Sequence, residues 1–296
     1  MRHSIMVLLG LLLATPRGAG AQPRRPPAAP QRPTAAAPAA ATATPGRDAP
    51  MPALSSDPPD DWDLTHREAV LARIRQASLG NAADGARAIG QALLAGLEPD
   101  VAAVALDTLA ALARPEGSVA VAAFLEHRRP TLRRHAVVAA QAINTRAMAR
   151  RLEARLGDPD PLVRGDVAAA LGEIGDLASM PPLWAALDRD LTATLTAQSP
   201  LAHNCALAIG RRGAIADVER LVGYLRRAPF ASIAEAFEAA LGRRDLDDAL
   251  KLRIVRAVAD VSTPEVQSFL TRIADGYHGR PVAWVEFART AAGRIQ

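Results

Sequence analysis

Histidine, cysteine and clustered carboxylates are the side chains from which most catalytic and metal sites are built, and this sequence carries few of them in a usable pattern. Its six histidines, His3, His66, His127, His135, His203 and His278, include no His-x-x-x-His pair and no helper cysteine, so metal-ligand spacing is absent. Cys205 is the single cysteine. Lying in the apolar string CALAI without a glycine elbow or a catalytic motif, it reads as an inert buried thiol. Asp245, Asp247 and Asp248 in RRDLDDAL invite a carboxylate-pair reading, but they stand at a helix start, where acids favour the macrodipole. Gly-x-Ser-x-Gly and phosphate-cradling glycine loops are missing as well. The sequence therefore assigns no catalytic residue, no metal and no cofactor.

One polar pattern does recur. Sliding the chain by its repeat period, one repeat being longer than the rest, puts His135, Asp166 and Asn204 at equivalent positions, with Arg134, Gly165 and His203 one residue earlier. The row ends at Val104 on one side and Ala236 on the other. Polar groups stacked at one repeat position make Arg134, His135, Asp166, His203 and Asn204 candidate binding residues; the plainer reading is a solvated helix face.

That period organises the whole C-terminal part. Thr108 to Ala113 (TLAALA), Ala139 to Asn144 (AAQAIN) and Ala170 to Gly175 (ALGEIG) fall in register at a spacing of about 31 residues, as do Pro99, Pro130 and Pro161. Ala208 to Gly213 (AIGRRG) and Ala240 to Asp245 (ALGRRD) continue the series. Between Asp188 and Ser199, DRDLTATLTAQS lengthens one repeat, which predicts a longer inter-helix turn or an edge loop. Each period holds two amphipathic stretches with large apolar groups three and four apart, the spacing of one helix face. Caps and breakers predict about fourteen helices, starting near 66, 84, 99, 117, 131, 146, 161, 178, 199, 214, 230, 246, 264 and 281. The expected fold is all-α, an α-solenoid of roughly seven stacked helical hairpins.

The segment Arg155 to Gly175, RLGDPDPLVRGDVAAALGEIG, shows one unit in full. Asp158 and Pro159 begin a turn ahead of a helix, Val163, Val167, Leu171 and Ile174 form its apolar stripe, Gly172 permits close helix contact, and Gly175 is suited to a left-handed cap. This string resembles a HEAT-like repeat of the phycobilisome-lyase type, with its acid-proline turn, Val-Arg pair and Ala-Leu-Gly before a second glycine. The resemblance implies an armadillo-like superhelix with an arginine-aspartate ladder across adjacent units, here Asp158 and Arg164. It also implies either of two kinds of function. A non-enzymatic protein-binding scaffold or adaptor is the leading one; a repeat-fold enzyme, such as a tetrapyrrole lyase-like or accessory maturation factor, is the alternative.

The N-terminal quarter is built differently. Residues 1–21 have a basic start, an apolar core from Ile5 to Ala14 and Ala19-Gly20-Ala21, the features of a secretory signal cleaved after Ala21. That core is too short to span a bilayer. Residues 22–60 hold nearly half of the 23 prolines and almost no large apolar groups, as expected of a disordered Pro/Ala-rich linker. The solenoid then occupies 61–296, beginning beside Trp62 and ending in a hairpin that gathers Tyr277, His278, Trp284 and Phe287 as an end cap. Its charge is close to neutral, and the pI of 10.1 comes from arginine replacing lysine, since Lys251 is the only lysine. Neither a nucleic-acid footprint nor a base-stacking platform is indicated. The expected partner is another protein or peptide outside the cytoplasm, periplasmic or secreted, with no stable membrane insertion once the signal is removed.

Overall fold

The computed structural model describes residues 64–193 and 199–295. The signal-like segment, the Pro/Ala-rich stretch, Trp62 and residues 194–198 of the long repeat lie outside these.

The described residues contain fourteen α-helices, three short 3-10 turns and no strand. In chain order they are α1 (Leu64–Leu79), α2 (Ala82–Ala95), α3 (Pro99–Leu112), α4 (Ser118–Phe124), α5 (Pro130–Ile143), α6 (Arg146–Arg155) and α7 (Pro161–Ile174). There follow α8 (Met180–Ala193), α9 (Pro200–Arg212), α10 (Ile215–Val222), α11 (Phe230–Leu241), α12 (Asp248–Ala259), α13 (Pro264–Asp275) and α14 (Ala283–Ala292). Prolines explain why five of the seven odd-numbered helices, α3, α5, α7, α9 and α13, start where the period says: Pro99, Pro130, Pro161, Pro200 and Pro264 each sit in the first turn, where a missing N–H costs nothing. Side-chain caps complete several starts. Asn81, Thr145, Asp160, Ser199, Asp247 and Thr263 each accept from backbone amides one turn on. The acid that caps α7 is thus Asp160, while the Asp158 carboxylate accepts from the Asp160 amide at 2.9 Å to shape the turn before it.

The helices form two layers. Odd-numbered helices pack side by side in one, even-numbered helices in the other, and the apolar stripes between them make one continuous core. Val163, Val167 and Leu171 are fully buried in it, whereas Ile174 is only partly covered. The odd layer is the tightly spaced one. A Cβ on Gly210 of α9 would lie 2.2 Å from the Ala236 carbonyl oxygen of α11, and one on Gly172 of α7 would meet the Ala208 methyl at 3.3 Å. Small residues at these positions let backbones touch. Gly175 does not adopt the left-handed cap: its φ of −64° and ψ of 157° are extended, because Asp176 turns the chain straight into the next capped turn. The left-handed conformation occurs one and two repeats earlier, at Asn144 and Ala113.

In the even layer, α8 and α10 are joined by an aromatic cluster. Trp184 Nε1 donates to Asp217 at 2.7 Å, the Arg220 guanidinium lies over the Trp184 ring, and Tyr224 donates to Asp188. At the C-terminal end Tyr277 meets Trp284 edge-on, with Trp284 buried and Phe287 packed against the core.

Candidate functional site

The ladder is present, but its arginine is Arg133. Arg133 Nε and Nη2 donate to the two Asp158 oxygens at 2.8 and 2.6 Å, joining α5 to the turn before α7, and both side chains are buried. Arg164, assigned to this bond from sequence, instead donates from Nη1 to the carbonyls of Asp158 and Pro159 within its own turn. Arg133 makes the equivalent bonds one repeat earlier, to the carbonyls of His127 and Arg128. His127 occupies the place of Asp158 in that repeat: its Nδ1 accepts from the Arg129 amide at 3.1 Å while its ring stacks on Phe124. Nε2 of this buried ring has no hydrogen-bond partner. Burial, followed by the charges of Arg128, Arg129 and Arg133, pushes its pKa down.

The residues of the candidate row stand on α5, α7 and α9 and join neighbouring helices. His135 Nδ1 meets Asp107 at 2.6 Å, Arg134 donates to Asp166 at 2.6 Å, Asn204 Nδ2 donates to the Gly165 carbonyl at 2.9 Å, and His203 faces Glu235 at 3.4 Å. The hydrogen bond to Asp166 is also what holds the Arg134 guanidinium most firmly protonated. These residues therefore stitch repeats together, with part of each side chain still open to solvent.

One helical turn farther along α7 and α9 is a feature the sequence reading passed over. A groove of about 180 Å³ between α7 and α9 is floored by Ala169, Gly172, Leu207 and Ala208, with the amides of Gln141 and Asn204 on its sides. Leu207 and Arg211 also line a second depression of about 440 Å³, which continues over α11 to Ala239 and Arg272. Arg211 lines a third, of about 580 Å³, together with Arg212, Arg243 and Arg244. All three depressions include Arg211 in their lining, so they adjoin one another as one run across the odd layer. Ion pairs between adjacent helices border it, Arg211 with Glu173 and Arg272 with Glu238. The signal was in the sequence: AIGRRG and ALGRRD place paired arginines at one repeat position, but they served only as evidence of the period.

Cys205 is fully buried, and burial pushes its thiol pKa far up, so no thiolate forms at neutral pH. Asp245 is hydrogen-bonded by Arg243, which holds its carboxyl below the usual range, and Asp247 caps α12 by accepting from the Leu250 amide.

Part of the chain is similar to a known family of helical repeats. Residues 118–201, spanning α4 to the start of α9, match the family model for HEAT repeats. Among solved structures, human deoxyhypusine hydroxylase in complex with glycerol is similar at 17% identity and a TM-score of 0.36, over 72% of this chain and 96% of that one. An engineered protein is similar at 14% identity and a TM-score of 0.35, over 76% of this chain and 94% of that one. Neither likeness bears on what this chain does. No curated protein matches it.

Proposed function

We propose that this chain is a non-enzymatic scaffold that binds an extended segment of another protein along the odd-numbered helices. The observation that carries the reading is the run of adjoining depressions from Gln141 to Arg272, which we read as one channel, with Ala169, Gly172, Leu207, Ala208 and Ala239 in its lining and charged pairs beside them. An extended chain laid there finds apolar surface at Ala169, Leu207 and Ala239, and amides at Gln141 and Asn204 able to bond a peptide backbone. Solenoids present long surfaces of this kind as a consequence of their stacking. The layer concerned is the tightly spaced one, where Gly172 and Gly210 bring neighbouring helices into contact.

The variant Leu207→Arg tests it. Leu207 is half-buried and lines two of the depressions, so a charged side chain there blocks the channel without entering the core. With the full chain as bait in a periplasmic extract, a protein retained by wild type should be lost from the variant while the thermal midpoint holds. Retention of every captured protein by the variant would place binding elsewhere. The short apolar core at Ile5–Ala14 and Ala19-Gly20-Ala21 supports action outside the cytoplasm. N-terminal sequencing of natively expressed protein should then begin at Gln22; a chain still starting at Met1 counts against export.

A further inference from the structure

The arginine-lined end of the channel points to the chemistry of the partner. We infer that it receives acidic residues, so that the bound segment is an extended peptide whose small apolar part lies over Leu207 and whose carboxylates lie among Arg211, Arg212 and Arg244. This rests on the channel reading above and adds a charge and a direction to it.

The depression of about 580 Å³ carries four arginines against two aspartates, Asp176 and Asp245. Both carboxylates are already engaged, Asp176 by Arg150 and Asp245 by Arg243. The guanidiniums are held in place by bonds that leave donors over. Arg212 Nε donates to the Gly172 carbonyl at 2.8 Å and its Nη2 to the Glu173 carbonyl, so the C-terminal end of α7 anchors it. Arg243 Nη1 reaches the carbonyls of Gly213 and Gly210 at 2.6 and 3.2 Å in the same manner at the end of α9. Arg211 spends Nη1 on Glu173. Arg244 is exposed and makes no hydrogen bond or ion pair among the described residues. What remains is the Nε and Nη2 of Arg211, the Nη1 of Arg212 and the whole fork of Arg244. Arg211 and Arg212 are thus restrained while Arg244 is free to adjust, and guanidinium forks suit carboxylates, which they bond in pairs. Restraint by the helix ends also lowers the ordering cost of binding. Because the rest of the channel has a floor of alanine, glycine and leucine, the complementary segment has small apolar residues next to its acids.

The test uses the full chain and three short capped peptides labelled with fluorescein. Each has the same alanine-valine half, followed by a half of glutamates, of glutamines, or of lysines. Anisotropy titrations should show the glutamate peptide binding about tenfold or more tighter than the glutamine one, with the gap closing as salt rises. In Arg211→Ala/Arg244→Ala the gap should shrink to about threefold or less while the melting curve is retained, since both side chains are exposed. Leu207→Arg should weaken the glutamine peptide, and at high salt, where its added charge is screened, the glutamate peptide as well. Equal affinity of those two peptides, both lost in Leu207→Arg, would overturn the acidic preference and leave the channel standing. Equal affinity that survives Leu207→Arg would overturn both. Absence of binding by any peptide, or tighter binding of an oligothymidylate than of the glutamate peptide, would overturn the inference by showing no site or a nucleic-acid one.

Discussion

Arg133 is held by two kinds of bond, a buried bidentate pair with Asp158 and donation to two carbonyls of its own turn. Removing it leaves a buried carboxylate without its cation, which costs about 3–5 kcal/mol. Arg164 has only the carbonyl bonds at the equivalent place, so Arg164→Ala should cost about 1 kcal/mol. Urea melts of the two variants should show the larger loss for Arg133→Ala; the reverse order would return the ladder to Arg164. The sequence contains Asp158 and an arginine six residues later in every reading, but Arg133 and Arg164 occupy the same repeat position. Spacing alone cannot say which of two equivalent arginines reaches the acid, since that depends on how one unit is stacked on the next. The row from Arg134 to Asn204 was legible as a row for the same reason that its role was not: periodicity finds equivalent residues, whereas pairing depends on the helix beside them. His127 yields a second prediction. Its folded pKa lies below the unfolded one, so the unfolded chain takes up the proton first as pH falls. The stability contributed by the neutral ring is complete above about pH 6.5 and is lost as pH drops toward the folded pKa. His127→Asn keeps an acceptor for the Arg129 amide and removes the titration. Its thermal midpoint should therefore fall less than that of wild type between about pH 7 and about pH 5.

At the scale of elements, the contact between α9 and α11 is decided by a missing side chain. Gly210→Ala would set a methyl 2.2 Å from the Ala236 oxygen and 2.9 Å from its Cα, so the two helices must separate. Overpacking of this kind costs about 1–3 kcal/mol. Gly223 lies at φ −61° with nothing within 4 Å of its would-be Cβ, so Gly223→Ala should be neutral or stabilise by up to about 1 kcal/mol. Calorimetry on the pair would show opposite signs; equal losses would mean that the close contact is not the cause. Every helix begins within two residues of the position read from sequence, because proline in the first turn and a capping side chain act through the local backbone. Gly175 was misread because glycine permits a left-handed cap without requiring one. The next residue, Asp176, decided the outcome by capping the following turn.

For the whole molecule, a linear array of units depends on what lies between them and little on what precedes them. Deleting Gln22 to Asp57, a stretch with few large apolar groups, should leave the thermal midpoint and the helical circular dichroism nearly unchanged. A fall of several degrees would show that this stretch packs on the solenoid.

The side-chain bonds that tie one unit to the next, from Arg133–Asp158 to Arg212–Gly172, span 25 to 40 residues of chain. A fold closed by loops of that size has low contact order and need not wait for its far end. As the polypeptide is produced or emerges from a narrow passage, a unit can close as soon as its neighbour is clear. The growing edge then acts as a template on which each later hairpin adds, so the array forms unit by unit without a global search.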